Sequence, residues 1–95
     1  MAEKQKMPQS ALNLIEYPSR FPLKVFGNRS EQFEDIVLEL VKARSPQSEY
    51  FEVSRRASSG GKYTALTVTF TAYSKIQLEN IYRDLYECEH VTMSL

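Results

Sequence analysis

Arg55-Arg56-Ala57-Ser58-Ser59-Gly60-Gly61-Lys62-Tyr63-Thr64-Ala65-Leu66-Thr67-Val68-Thr69-Phe70-Thr71 reads as the turn and second strand of a β-hairpin. Leu66, Val68 and Phe70 alternate with Ala65, Thr67, Thr69 and Thr71, so one face of the strand is apolar and the other carries threonine. The two glycines supply the positive φ that a tight connection needs, and Tyr50 to Arg55 alternates in the same way as the first strand. Beyond the hairpin, Ser74-Lys75-Ile76-Gln77 matches a capping box, in which the serine hydroxyl and the glutamine side chain satisfy each other's backbone N–H groups. Leu78, Ile81, Tyr82 and Leu85 then form one helical stripe through about Glu87, and His90 to Leu95 is a last strand with Val91, Met93 and Leu95 expected inward. The order of this half is ββαβ.

Arg20-Phe21-Pro22-Leu23-Lys24-Val25-Phe26 alternates too, with Phe21, Leu23 and Val25 on one face and Lys24 and Phe26 on the other. Gly27 is expected to end this strand, and Pro22, which cannot donate to a ladder, to sit at its start or face away from a partner. A helix follows, capped by Asn28 or Ser30. Its early turns are acidic (Glu31, Glu34, Asp35) and its end is basic (Lys42, Arg44), matching the helix dipole. Phe33, Ile36, Val37, Leu40 and Val41 give its apolar stripe, and Ser45-Pro46 stops it. Residues 1–15 read as a flexible tail, with 11–17 able to form one turn that docks on the domain, and 16–95 as a single domain. The complete order βαββαβ predicts an α+β ferredoxin-like sandwich: a four-stranded antiparallel sheet in the order 4-1-3-2 with two helices on one face.

At 95 residues the chain buries only about 60–65% of its unfolded surface, which argues against an enclosed active-site cavity. Twelve Lys and Arg balance twelve Asp and Glu, so no net field attracts nucleic acid or an anionic membrane. Cys88 is the single cysteine, which excludes an intramolecular disulfide and a C-x-x-C site. With no apolar run long enough for export or membrane spanning, a cytoplasmic location is expected.

Two places can bind something. The helix-free face of the sheet should carry Lys24, Phe26, Tyr50, Arg56, Thr67, Thr69 and Thr71. It is either a docking surface for a partner or a second copy, or a face left in water with threonine there for its β-propensity. The turn, with Arg55, Arg56, Ser59, Gly60, Gly61 and Lys62, could hold an anion on its backbone N–H groups, the plainer alternative being a tight hairpin with solvated charges. The topology also hosts RNA-binding domains, but Ala65, Thr67 and Thr69 stand where aromatic side chains would be needed. Cys88 and His90 lack the further groups that a nucleophile pair or a metal would require, and Tyr82 and Tyr86 read as core edge. No catalytic, cofactor-binding or metal-binding residue is expected.

Tyr17-Pro18, Phe21 to Gly27, Arg56 to Tyr63, Gln77-Leu78 with Ile81-Tyr82 and Leu85, and Val91 to Leu95 together resemble the YbeD-like family of small conserved bacterial proteins, often labelled as uncharacterised or as lipoate-associated regulatory proteins. The resemblance covers residues 16–95. It implies a ferredoxin-like fold similar to the amino-acid-binding ACT regulatory domains and a regulatory role, and supplies no catalytic residues. Arg44 stands where that family commonly has a histidine, and the tail is longer. The expected function is a non-enzymatic regulatory or adaptor module, monomeric or weakly dimeric, that binds a protein. The alternative is an ACT-like sensor of an amino acid or related metabolite, with RNA binding behind both.

Overall fold

In the computed structural model, which describes residues 12, 14–28, 31–57 and 60–95, the alternating segments are realised as four strands and two helices. They run β1 (Ser19–Asn28), α1 (Glu31–Ala43), β2 (Glu52–Ala57), β3 (Tyr63–Ala72), α2 (Lys75–Glu87) and β4 (Val91–Ser94). One antiparallel sheet has the order β2-β3-β1-β4, the expected ferredoxin-like order counted from the other edge. The two long strands lie at its centre. In their ladder Phe21 faces Phe70, Leu23 faces Val68 and Val25 faces Leu66, so the three apolar pairs share one side.

The helices cover that side because their stripes have nowhere else to go. Phe33, Val37 and Val41 from α1 and Leu78, Ile81, Tyr82 and Leu85 from α2 are buried against the strand residues, while Ile36 and Leu40 are half-buried at the margin. Leu12, on the tail side of the boundary placed after residue 15, is also buried, and its carbonyl accepts a hydrogen bond from the Tyr17 hydroxyl at 3.1 Å. The remaining tail residues expected to be flexible, 1–11 and 13, lie outside the described residues, as does the candidate cap Ser30.

Several local expectations change. Gly27 does not end the first strand, which continues to Asn28; it is a buried strand residue with the Phe33 ring lying over it. Tyr50 and Phe51 precede β2 rather than belonging to it. The ladder between β1 and β4 slips between Phe26 and Gly27: Gly27 pairs with Val91, Phe26 with Met93 and Val25 with Ser94. This irregularity reverses the end of β4, so Ser94 is buried, while Met93 and Leu95, expected inward, lie on the helix-free face.

The capping box also differs in one bond. The Ser74 hydroxyl accepts from the Gln77 N–H at 3.1 Å, but Gln77 Oε1 accepts from Tyr73 N–H at 2.6 Å instead of from the cap itself. Gln77 Nε2 donates to Ser45 Oγ at 2.9 Å, fastening the start of α2 to the end of α1. The same two helices are joined on the surface by Arg44, whose Nε and Nη2 meet the Asp84 carboxylate at 2.8 and 3.3 Å. The hydrogen bond and charge of Asp84 hold the Arg44 guanidinium above its ordinary pKa.

Tyr82 is the anomaly of the core. Its ring packs edge-on against Phe21 with centroids 6.4 Å apart, but its hydroxyl is buried with no hydrogen-bond partner among the described residues. Burial accordingly pushes the phenol well above its ordinary pKa. A desolvated, unpaired hydroxyl opposes folding, so Tyr82→Phe is expected to stabilise the domain by about 1 kcal/mol. Thermal unfolding checks this: the midpoint should rise by roughly 4–8 °C, and a fall would show that the hydroxyl is satisfied in solution.

Candidate functional site

The side of the sheet away from the helices is organised in rows set by strand register. Lys24, Thr67 and Ser54 form one row across β1, β3 and β2, and Phe26, Ala65 and Arg56 form the next. Met93 extends the second row onto β4. Leu95 extends the first, because it exchanges backbone hydrogen bonds with Lys24 at 3.0 and 2.7 Å. Alanine, serine and threonine are short, whereas Lys24, Phe26 and Arg56 are long. The difference in height leaves a groove of about 750 Å³ lined by Lys24, Phe26, Ser54, Arg56, Ala57, Ala65 and Thr67.

Phe26, Met93 and Leu95 make an apolar ledge at the β4 side of this groove. Phe26 and Met93 are half-buried, and Leu95 is 40% exposed. The charged groups at the groove are unneutralised: neither Lys24 nor Arg56 enters an ion pair among the described residues. Arg55, one residue away, points to the helix side and is engaged by Glu34.

At the opposite end of the same face Arg20 acts as a clasp. Its guanidinium donates to the Tyr50 carbonyl at 3.0 Å, to Thr71 Oγ1 at 3.3 Å and to the Thr69 carbonyl at 3.4 Å, and lies 5.4 Å from the centre of the Tyr50 ring. Ser48 fixes the same loop from within, accepting from Thr71 N–H at 3.1 Å. The expected face therefore divides in two. Lys24, Phe26, Arg56 and Thr67 line the groove, whereas Tyr50, Thr69 and Thr71 sit around Arg20. Sequence pattern alone does not single out Arg20, Met93 or Leu95, because the pairing of Arg20 with Thr71 and the slip in β4 arise only in the assembled sheet.

The basic side chains around the turn diverge. Gly60 and Gly61 do take positive φ, 88° and 71°, but Arg55 and Arg56 lie on opposite faces of the sheet. Lys62 is exposed, and Ser59 lies outside the described residues. At the other junction, Cys88 caps the end of α2 with its backbone N–H donating to Leu85 at 3.2 Å, and Val91 N–H closes the turn on the Cys88 carbonyl at 3.2 Å. His90 Nε2 is 3.7 Å from Glu89. Among the described residues no group of three His, Cys, Asp or Glu side chains is placed to hold a metal ion, and no helix is long and apolar enough to cross a membrane.

Sequence comparison matches the chain to known proteins of similar size. The family described as "Protein of unknown function (DUF493)" matches residues 13–95. A UPF0250 protein of Chromobacterium violaceum is 44% identical over 79 residues, covering 83% of this chain and 89% of the relative. A UPF0250 protein of Neisseria gonorrhoeae is 40% identical over 87 residues, covering 92% and 96%. The resemblance drawn from the Tyr-Pro, strand and turn motifs is thus carried by nearly the whole fold, and the chain belongs to the DUF493/UPF0250 family of small, YbeD-like bacterial proteins.

Proposed function

We propose that this chain is a non-enzymatic regulatory or adaptor module of the cytoplasm that docks a protein partner on the open face of its sheet. The observation that supports this is the apolar ledge of Phe26, Met93 and Leu95 beside an uncovered groove, on the side that neither helix reaches. Apolar groups grouped at one place on a domain this small favour contact with another surface. The groove is lined by cations, an aromatic ring, hydroxyls and methyls, groups suited to binding a partner's side chains.

Phe26→Asp tests the reading. The residue is half-buried on the open face and outside the helix-covered core, so the variant should keep the native circular dichroism spectrum. Capture of cytosolic partners should fall at least roughly tenfold, as expected for loss of an apolar anchor. Identical partner profiles for the two baits would reject the face as the docking site.

A second reading, a sensor of an amino acid or related metabolite, draws support from the size of the groove, which lies within the range of small-ligand sites. A thermal-shift screen with amino acids, lipoate and nucleotides separates the two. A ligand at about 100 times its Kd stabilises the fold by about 2.7 kcal/mol, and a flat screen at millimolar concentration removes this reading.

A further inference from the structure

We infer that the occupant of the groove is an extended acidic segment of a partner protein, with carboxylates at alternate positions that meet Lys24 and Arg56 and an apolar residue beside them that rests on the Leu95 end of the apolar ledge. This rests on the docking reading above and gives it a chemistry.

The charge distribution carries the inference. Among the strand side chains, the open face presents Arg20, Lys24 and Arg56 against one acidic side chain, Glu52, which stands beside Thr69 away from the groove. Arg20 is consumed by backbone carbonyls and a threonine hydroxyl, and Arg55, the sequence neighbour of Arg56, is engaged by Glu34 on the helix side. Lys24 and Arg56 are left on opposite walls of a groove in a chain with no net charge. Such a pair attracts an anion locally without making the whole protein a polyanion binder.

The geometry selects an extended peptide. Lys24 and Arg56 stand two strands apart and two residues out of step, which places their backbones about 12 Å apart. In an extended segment, side chains at i and i+2 point the same way and are about 7 Å apart. Two flexible cations approaching from either wall close that difference. Ser54 and Thr67 on the floor offer hydroxyls to the same carboxylates. The next inward-facing position of the segment lies toward β4, over Leu95, which shares the row of Lys24. Tyr63, the other aromatic of β3 on this face, lies beyond Ala65 and outside the groove lining, so a single-stranded nucleic acid would find one ring in the groove, Phe26, to stack on.

Fluorescence anisotropy with the full chain tests this. The probe is a fluorescein-labelled decapeptide with glutamate at alternate positions followed by leucine in the same register, compared with its glutamine counterpart and an oligouridylate. The acidic peptide should bind at least roughly tenfold tighter than the glutamine peptide, and Lys24→Glu and Arg56→Glu should each weaken it by about tenfold or more. Binding should also weaken as salt rises from roughly 0.05 to 0.5 M. Equal binding of the two peptides, indifference to both charge reversals, or preference for the oligouridylate overturns the inference. So does a doubling of the solution mass that Phe26→Asp abolishes, since a second copy would then cover the face. If partner capture is lost in Phe26→Asp but kept in both charge-reversal variants, docking stands and its acidic chemistry falls. If Phe26→Asp leaves capture intact, the docking reading itself falls.

Discussion

Gly27→Ala is expected to lower the stability of this domain by about 3 kcal/mol, and its thermal midpoint by roughly 12–24 °C. Gly27 sits in the middle of the irregular pairing between β1 and β4, with the Phe33 ring over it and the His90 carbonyl beside it. A methyl group built there falls inside contact distance of both. The ring can turn away by giving up its packing, but the carbonyl belongs to the backbone entering β4, so relief requires the edge strand to move. No positive φ is involved: the requirement for glycine is one of space. Urea denaturation of the wild type, Gly27→Ala, Phe33→Leu and the double variant separates the two contacts. A double-variant loss smaller than the sum of the singles assigns part of the cost to the ring, and a single-variant loss below about 1 kcal/mol would show that the approach is looser than described.

Gln77→Leu should cost about 2–3 kcal/mol although leucine matches glutamine closely in volume. Its amide accepts the Tyr73 N–H and donates to Ser45, and the site is nearly sealed from water. Leucine leaves a backbone donor and a serine hydroxyl without partners at the joint of the two helices. Ile76→Ala, one residue earlier and 69% exposed, serves as the control and should stay within about 0.5 kcal/mol of the parent. Equal unfolding midpoints for the two variants would show that water replaces the glutamine, and that the joint contributes little.

Particular residues show how far the sequence could be read. Where side-chain period and burial agree, as in Leu66, Val68 and Phe70 or Leu78, Ile81 and Leu85, local pattern was enough to place each group, because the alternation leaves one face to bury. Strict alternation carried to the end of β4 puts Met93 inward, whereas the slipped register pairs it with Phe26 on the open face. The clue against it lay elsewhere in the chain, in a glycine within a strand pattern, a known mark of a bulge or close backbone approach. The candidate face was legible in outline for the same reason as the core. Its division was not, since Arg20 finds Tyr50 and Thr71 from 30 and 51 positions away, and no periodicity encodes such a meeting. The basic pair Arg55-Arg56 looked like one patch in sequence, and the pleat separates it into a residue bound by Glu34 and a residue facing the groove.

The central ladder has a kinetic consequence. β3 finds β2 through a short turn, but its other edge waits for β1, whose partners are about 35 to 53 positions distant. Closing that loop costs chain entropy before any of the ladder's bonds form, which slows assembly relative to a helical domain of the same length. Until β1 arrives, Thr64 to Thr71 presents an uncharged, proline-free edge rich in β-forming residues, a ready template for association between unfinished chains. The strand that closes it carries Arg20, Pro22 and Lys24 in alternation. Those residues make β1 a poor self-associating segment, so the aggregation hazard of this fold is concentrated in one strand and in the interval before its neighbour covers it.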